Sequence, residues 1–407
     1  MRMCKREPAF FLLIILFFSA AIPTGCVRSD AVEAIREERL FHLEYGNFDG
    51  QLGVSDLNSI GKVRIGLAMR DGFFYIVDGE AGKVMELNSY GDLLSLFYND
   101  DSLSDRLISA SSRPAAEVRQ EISYPFIYPG MIAADSRKCI YAVCSIPRDR
   151  QERSDDSRLL YGQTVLRFSR DGSTADYIGQ QGPGGTPFPF VRNIYITAAD
   201  ELVVVCMTMD GFTVFWFAPD GFLKYMVPVD AGTVPGIGDG ASFVAVENVI
   251  PDPSSYTVYV KADYYSSYID EESRVQSGIN YVQTMLYPLS VETGIYDAPV
   301  SVPPYEESVV ADYSRLTYRM PYDFLGVTEN GWKFFIIKTD DGFNIEMIQN
   351  ENQRILRRQF KVNHRNVVYS SISLSQGGII TALYLDQNKA DVVWYRTDRL
   401  IDAILKS

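Results

Sequence analysis

The residues able to do acid–base or metal chemistry near neutral pH are few and widely separated. The chain has 407 residues but two histidines, His42 and His364. It contains no H-x-x-x-H, C-x-x-C or G-x-x-x-x-G-K-[ST] spacing and no G-x-S-x-G elbow. His42 lies in a predicted strand and His364 in a polar link, so we predict structural or solvent-exposed roles for both. The sequence therefore assigns no catalytic residue, no metal site and no cofactor.

Carboxylates are the abundant reactive groups. The chain carries 52 Asp and Glu against 38 Lys and Arg, a formal net charge of −14. Glycan chemistry uses paired carboxylates, and a ring-shaped fold could bring distant ones together, but no motif identifies the pair. Asp340-Asp341-Gly342 does not fit a calcium loop and is explained as a turn. So acidic a surface repels phosphate backbones, which argues against a nucleic-acid partner.

Three cysteines, Cys139, Cys144 and Cys206, follow residue 26. An odd number cannot pair completely within one chain. Cys139 and Cys144 lie in one predicted strand, about 16 Å apart at the usual rise per residue and beyond disulfide reach. We therefore expect small, buried, free thiols.

The first 25 residues have the pattern of a targeting segment. Three basic residues near the start precede an apolar run, residues 9–21, that is shorter than the roughly 20 residues a membrane helix needs. The run ends in Ile-Pro-Thr-Gly-Cys at 22–26, which resembles the lipobox of bacterial lipoproteins in its relaxed, spirochaete-type form. The resemblance implies that Cys26 is acylated and anchors the chain to a membrane of the cell envelope, on the periplasmic or surface side. The alternative is an ordinary signal peptide.

Residues 68–98 show how the rest of the chain is built. The segment AMRDGFFYIVDGEAGKVMELNSYGDLLSLFY predicts three short strands, and Asp71-Gly72 and Tyr90-Gly91 predict the turns before the first and third. Closely spaced strands joined by such turns make a meandering antiparallel sheet. The chain is also rich in aromatic residues, 26 Tyr and 23 Phe. This enrichment favours an all-β fold.

Related units recur six times along the chain. One marker is a short apolar strand after a turn, predicted at 73–77, 139–144, 202–207, 256–261, 333–338 and 379–384. A second marker is an apolar residue followed about four positions later by a turn, found at 87–94, 168–175, 217–224, 289–296, 348–355 and 395–402. Two markers with the same count indicate six copies of one small sheet.

Residues 179–224 carry a family resemblance. GQQGPGG, FPFVRNIYI, ELVVVC and FAPDG are similar in order and spacing to NHL-type repeats, although Val191-Arg192-Asn193 stands where those repeats have Pro-x-Gly. The resemblance implies a six-bladed β-propeller of four-stranded antiparallel blades over residues 40–407, after a tether at 26–39. A β-sandwich or two smaller β-domains is the alternative. In a propeller, the isolated strand at Leu40–Tyr45 would complete the last blade and close the ring.

The strand order also predicts where function lies. Five long segments, 99–124, 146–161, 230–243, 263–279 and 300–318, would all follow a second or fourth strand and so share one face of the ring. Within the segment 263–279, residues 263–272 combine Tyr264, Tyr265 and Tyr268 with Glu271 and Glu272, a composition typical of protein interfaces. The alternative is that these tyrosines pack against the blade. We therefore predict a lipid-anchored envelope scaffold that binds a protein partner. The alternatives are a carboxylate enzyme acting on glycans or peptides and a small-ligand or sugar sensor.

Overall fold

The computed structural model describes residues 32–54, 63–100, 120–153, 159–173, 177–238, 241–269, 276–311, 314–349 and 354–405. Residues 34–407 form one compact unit. The predicted all-β, six-bladed propeller is confirmed: six antiparallel sheets follow one another along the chain, each contributing four strands to the ring. The described part contains no helix long and apolar enough to cross a membrane.

The first strand and the first three blades come from the N-terminal half. The first strand is β1 (Glu37–Glu44). Blade 1 contains β2 (Ile65–Arg70), β3 (Phe73–Asp78), β4 (Lys83–Leu87) and β5 (Leu93–Tyr98), with β6 (Gln120–Ser123) added in parallel at its edge. Blade 2 contains β7 (Ile132–Ala134), β8 (Ile140–Ser145), β11 (Gln163–Phe168), β12 (Ile178–Gly179) and β13 (Gly182–Pro183), and a small hairpin of β9 (Glu152–Arg153) and β10 (Leu160–Tyr161) interrupts it. Blade 3 contains β14 (Phe190–Ile196), β15 (Leu202–Met207), β16 (Gly211–Phe217) and β17 (Leu223–Asp230).

The other three blades follow in order. Blade 4 contains β18 (Phe243–Pro251), β19 (Thr257–Ile269), β20 (Gln276–Ser290) and β21 (Val300–Val302). A separate two-stranded hairpin of β22 (Tyr305–Ala311) and β23 (Ser314–Met320) lies between blades 4 and 5 in sequence. Blade 5 contains β24 (Asp323–Val327), β25 (Lys333–Thr339), β26 (Gly342–Gln349) and β27 (Arg354–Lys361). Blade 6 contains β28 (Tyr369–Leu374), β29 (Ile380–Leu385), β30 (Lys389–Tyr395) and β1.

The tight turns form where the sequence supplies residues that tolerate a left-handed backbone. Asp71 and Gly72 have φ of 52° and 78° between β2 and β3, as a two-residue hairpin turn requires. Gly91 has a φ of +88°, and a Cβ there would meet the Phe41 side chain at 2.9 Å. Gly91 thus combines a left-handed turn with the close approach of β1 from the adjacent blade 6.

The ring is closed by the N-terminal strand, as predicted. β1 pairs antiparallel with β30 from Glu37↔Tyr395 to Glu44↔Lys389, with one bulge between Arg39 and Phe41. The strand begins three residues earlier than the predicted domain boundary at Leu40. Because β1 supplies the fourth strand of blade 6, the chain after β30 does not continue into a fourth strand. It instead forms the helix α1 (Thr397–Leu405), within the segment 395–402 where we predicted only a turn.

The core consists of apolar clusters between neighbouring blades. In the described part, six clusters of buried side chains occupy the junctions 1–2, 2–3, 3–4, 4–5, 5–6 and 6–1. The second strands are buried on both faces, which explains their continuous apolar runs such as LVVVC in β15. All six predicted second strands coincide with β3, β8, β15, β19, β25 and β29 to within one residue at their starts.

Strand order separates the two faces of the ring. Turns after first and third strands lie on one face, which we call the plain face, and loops after second and fourth strands lie on the other, the insertion face. All five predicted insertions fall at insertion-face positions, although residues 101–119, 154–158, 239–240, 270–275 and 312–313 lie outside the described part. Two of the insertions are β-structure rather than loops: β19 and β20 extend past the blade, and 300–318 folds largely into β22–β23.

Candidate functional site

The β22–β23 hairpin has one polar and one apolar side. Alternation along the strands places Glu306, Ser308, Thr317 and Arg319 on one side, where Arg319 Nε donates to Glu306 Oε1 at 2.9 Å. The opposite side carries Tyr305, Val309, Leu316, Tyr318 and Met320, together with Glu307. Val309, Leu316 and Tyr318 are 43%, 45% and 52% exposed. The hairpin therefore presents an apolar side that no described part of the chain covers.

This apolar side borders a cleft. The cleft, which we call the hairpin cleft, has a volume of about 1310 Å³ and separates β22–β23 from the insertion-face loops of blade 5. Its hairpin wall includes Tyr305, Glu307 and Met320, and its other wall comprises residues 338–341 and 361–365. An apolar wall opposite a charged one can hold an amphipathic polypeptide segment.

The blade-5 wall of the hairpin cleft is polar and mixed in charge. It contains Lys338, Asp340, Asp341, Lys361, His364 and Arg365. The His364 ring packs edge-on against Phe343 with centroids 5.1 Å apart, and its Nε2 lies 2.9 Å from the Gly342 carbonyl oxygen. His364 thus has a structural role in shaping this wall. His42, by contrast, is exposed on β1.

The structure corrects the prediction for Tyr264. Residues 263–269 belong to β19 and not to a loop, and Tyr264 is only 2% exposed in the junction between blades 3 and 4. Its hydroxyl lies 2.9 Å from that of Tyr287 and donates to the Pro235 carbonyl. Burial raises the pKa of Tyr264. Tyr264 therefore packs within the blade junction and is not available to a partner.

Tyr265 and Tyr268 lie further out along the extended β19–β20 hairpin. Tyr265 is half-buried, stacked on Phe243 with centroids 6.0 Å apart and edge-on to Tyr281 at 6.1 Å. Tyr268 is 49% exposed, so it is available to a partner. Glu271, Glu272 and the predicted lipidation site Cys26 lie outside the described residues.

A second cavity follows the axis of the ring. This central channel has a volume of about 920 Å³ and is lined by the first strands of all six blades, β2, β7, β14, β18, β24 and β28. Its wall is mixed: apolar side chains such as Leu67 and Ile250 alternate with polar ones, which include Asn193, Tyr195, Asn248, Ser371 and Ser373. Asp71 and Glu329 are the carboxylates in the described lining, and both lie in plain-face turns. No group of three or more His, Cys, Asp or Glu side chains suited to a metal occurs among the described residues.

One side chain bridges the channel at the plain face. Gln376, in the turn after β28 of blade 6, donates from Nε2 to the Ile196 carbonyl oxygen of blade 3 at 2.6 Å. Blades 3 and 6 are opposite each other in a six-bladed ring, so this hydrogen bond crosses the axis. The Gln376 backbone carbonyl also accepts from Glu329 N–H at 3.0 Å, which fixes the turn. The Gln376 side chain therefore partly blocks the plain-face end of the channel, and we call the insertion-face end its mouth.

The remaining thiols are structural. Cys139, Cys144 and Cys206 are free, as predicted, and the last two are fully buried. Burial raises the pKa of the Cys144 and Cys206 thiols, which keeps them protonated and unreactive.

Comparison with known proteins gives little beyond the fold. No protein-family model and no curated protein matches the chain. Among solved structures, a gluconolactonase from Xanthomonas campestris is 11% identical over 89% of this chain and 96% of its own, with a TM-score of 0.41. The polysaccharide lyase Uly1 is 7% identical over 89% of this chain and 99% of its own, with a TM-score of 0.43, and a streptogramin B lyase is 12% identical over 82% and 94%, with a TM-score of 0.33. At such low scores these likenesses carry no argument about this chain, and the propeller assignment rests on its own sheet topology.

Proposed function

We propose that this protein is a lipid-anchored binding module of a bacterial cell envelope, a scaffold that holds a protein partner against the insertion face of its propeller. The observation that carries the proposal is the uncovered apolar side of β22–β23, which borders the hairpin cleft. Monomeric proteins seldom leave a row of apolar side chains open beside a cleft unless something binds there. The partner would contribute an extended segment with apolar side chains.

The hairpin suits an extended segment for a second reason. β22 and β23 form a two-stranded sheet, so each has an outer edge that pairs with no strand in the described part. An extended peptide could add to such an edge through main-chain hydrogen bonds while its side chains contact the apolar side. Tyr268, on the neighbouring hairpin, would extend the contact surface, as its exposure allows.

The point where the chain enters the propeller is compatible with a lipid anchor on the face opposite the hairpin cleft. Glu37 pairs with Tyr395, the last residue of β30, so the chain enters β1 at the plain face. A tether leading to an acylated Cys26 would then approach the face opposite the hairpin cleft. The cleft would point away from the membrane, toward a partner.

Replacing Leu316 and Tyr318 together with Ser should release the partner. The double variant removes two exposed apolar side chains, and a tyrosine that anchors an interface can account for about tenfold or more in affinity. Both side chains are solvent-exposed, so the fold should be unaffected. The measurement is cross-linking and affinity capture of the full chain from envelope membranes, with the captured proteins quantified.

The matched control is the pair S308A and T317A on the polar side of the same hairpin, whose hydroxyl oxygens are 3.3 Å apart. It should retain the partner at the wild-type level. Equal capture by both double variants, or no stoichiometric partner for the wild type, would refute the binding proposal at this cleft. A Tyr268→Ala variant measured in parallel tests whether the neighbouring hairpin takes part.

Cys26→Ser tests the anchor independently. If Cys26 is acylated, the variant should lose incorporation of a labelled fatty acid and should no longer fractionate with membranes, because acyl chains would be its main attachment. Cys206→Ser, which alters a buried thiol, serves as a control that must keep the label. Unchanged labelling of the Cys26→Ser protein would rule out lipidation at this residue.

A further inference from the structure

Two arginines lie at the mouth of the central channel and have no carboxylate partner among the residues that the structure describes. Arg64 directly precedes β2 and Arg192 is in the first half of β14, so both are at the insertion-face ends of channel-lining strands. Neither forms an ion pair within 4.0 Å with any carboxylate of the described chain. Arg64 instead lies over the exposed Tyr128 ring, 4.8 Å from its centroid. In a protein of net charge −14, two guanidinium groups that no described carboxylate neutralises should attract an anionic ligand to this end of the channel.

The backbone places Arg192 at this position. The register between β14 and β15 shifts between Val191 and Asn193, so Arg192 is the extra residue of a β-bulge. Bulges re-aim a side chain and are frequent beside functional sites. Glu247 occupies the matching bulge of β18 in the next blade, but it is outside the channel lining and not within ion-pair distance of Arg192.

The channel below the mouth contains side chains that can form hydrogen bonds with the hydroxyl groups of a ligand. Ser371 and Ser373 are two residues apart on β28 of blade 6, and Asn193 and Asn248 line the channel on β14 of the opposite blade 3 and on β18 of blade 4. Asn193 Nδ2 donates to the Tyr195 hydroxyl oxygen at 3.0 Å, which leaves the hydroxyl hydrogen of Tyr195 for an acceptor. Burial raises the pKa of Tyr195 to about 12, so it remains a donor at neutral pH. These groups both donate and accept hydrogen bonds, as recognition of hydroxyls requires.

From this arrangement we propose that the central channel binds a small hydroxylated organic acid, such as an acidic sugar. Arg64 and Arg192 hold its carboxylate at the mouth, its hydroxylated body contacts the Ser, Asn and Tyr side chains, and Gln376 partly blocks the plain-face end. Guanidinium groups bind carboxylates through paired, charge-assisted hydrogen bonds. The cavity of about 920 Å³ is within the range of small-molecule pockets. This site is separate from the hairpin cleft and involves none of its residues.

The test is isothermal titration calorimetry of the full chain with D-glucuronate, D-glucose and inorganic sulfate. D-Glucuronate should bind the wild type saturably, and D-glucose, which lacks the carboxylate, should bind at least about tenfold more weakly, as expected for the loss of charge-assisted hydrogen bonds. The double variant R64Q and R192Q should weaken D-glucuronate binding by about tenfold or more on the same grounds. Arg70→Gln is the matched control. Arg70 lines the plain-face end of the channel, where its Nε lies 3.7 Å from Asp71 Oδ2. The Arg70→Gln protein should bind D-glucuronate with the affinity of the wild type.

Several outcomes would overturn the proposal. One is the absence of saturable binding heat when the wild type is titrated with D-glucuronate or sulfate. Another is equal affinity of the wild type for D-glucose and D-glucuronate. A third is that Arg70→Gln weakens D-glucuronate binding as much as the double variant R64Q and R192Q does. Binding of sulfate without D-glucuronate would reject the hydroxylated ligand and leave a simple anion site. The double variant R64Q and R192Q should still capture the partner protein through the hairpin cleft, so the two proposals fail independently.

Discussion

Replacing Phe41 with Ala should lower the free energy of unfolding by about 3–5 kcal/mol, the usual cost of removing a buried aromatic side chain. Phe41 is 7% exposed and packs edge-on against Phe74 of blade 1, with ring centroids 5.5 Å apart. The loss is large because domain stabilities total only about 5–15 kcal/mol. Phe41→Ala should therefore leave the propeller close to unfolding.

The effect is amplified by the position of β1 in the ring. β1 provides the fourth strand of blade 6, and Phe41 and Leu43 belong to the apolar cluster that joins blade 6 to blade 1. Polar contacts hold the same strand: Trp394 Nε1 donates to Glu38 Oε2 at 2.8 Å, and the Tyr45 hydroxyl lies 2.7 Å from the carbonyl oxygens of Asp386 and Lys389. Weakening this strand exposes an open sheet edge on blade 6.

Urea unfolding followed by tryptophan fluorescence measures the effect, since Trp394 on β30 reports directly on the junction. His42→Ala is the matched control, because His42 is the neighbouring residue on the exposed side of the same strand. It should change stability by less than about 0.5 kcal/mol, as surface substitutions usually do. A Phe41→Ala protein as stable as His42→Ala would show that β1 does not close the ring.

The propeller could be predicted because its signals are local. Each second strand is buried on both faces and therefore appears in the sequence as a short, continuous apolar run, as in Leu202–Met207. Each tight turn requires Gly or Asp at a left-handed position, as at Asp71-Gly72. The closing strand was predictable for a different reason: Leu40–Tyr45 had no partner nearby in sequence, and a ring needs one more strand.

The insertions were harder because length alone does not distinguish a loop from a hairpin. Residues 315–320 (RLTYRM) alternate polar and apolar side chains, but residues 305–311 (YEESVVA) do not, so the segment 300–318 predicts an insertion without specifying a hairpin. At 263–272 the aromatic residues were interpreted as a surface set. Tyr264 and Tyr268 lie on the same side of β19, but Tyr264 lies where the strand packs in the blade junction and Tyr268 where the hairpin extends past the blade. Composition does not reveal how far a strand extends past its blade.

The channel residues could not be assembled from sequence because they come from six blades far apart in the chain. One signal was nevertheless present. Val191-Arg192-Asn193 departs from the Pro-x-Gly of NHL-type repeats, and that departure coincides with the bulge that places Arg192 at the channel mouth. Gln376 gave no signal, because its hydrogen bond to Ile196 joins residues 180 positions apart.

A buried ion pair in blade 4 provides the second large effect. Lys261 and Asp263 are 2% and 1% exposed, and Lys261 Nζ donates to Asp263 Oδ2 at 2.5 Å. Thr284 Oγ1 donates to the other carboxylate oxygen at 2.5 Å. Asp263 belongs to the acidic segment that composition alone assigns to the surface, yet register on β19 places it inside. Asp263→Ala should lower the free energy of unfolding by about 3–5 kcal/mol, because it leaves the Lys261 ammonium group buried without its counter-charge.

A double-mutant cycle separates the pair from its surroundings. Lys261→Met combined with Asp263→Leu removes both charges and keeps apolar volume, and buried pairs replaced in this way usually show little loss or a gain in stability. The cycle comprises Lys261→Met, Asp263→Leu and their combination, each measured by urea unfolding. We expect Asp263→Leu alone to lose about as much stability as Asp263→Ala, and the double variant to recover most of that loss. Thr284→Val, which removes one hydrogen bond to the carboxylate, should cost about 1–3 kcal/mol. If Asp263→Ala costs less than about 1 kcal/mol, well below the loss expected for a buried unpaired charge, water must reach Lys261. The pair would then lie at an accessible part of the junction between the β19–β20 hairpin and blade 5, and that junction would open in solution.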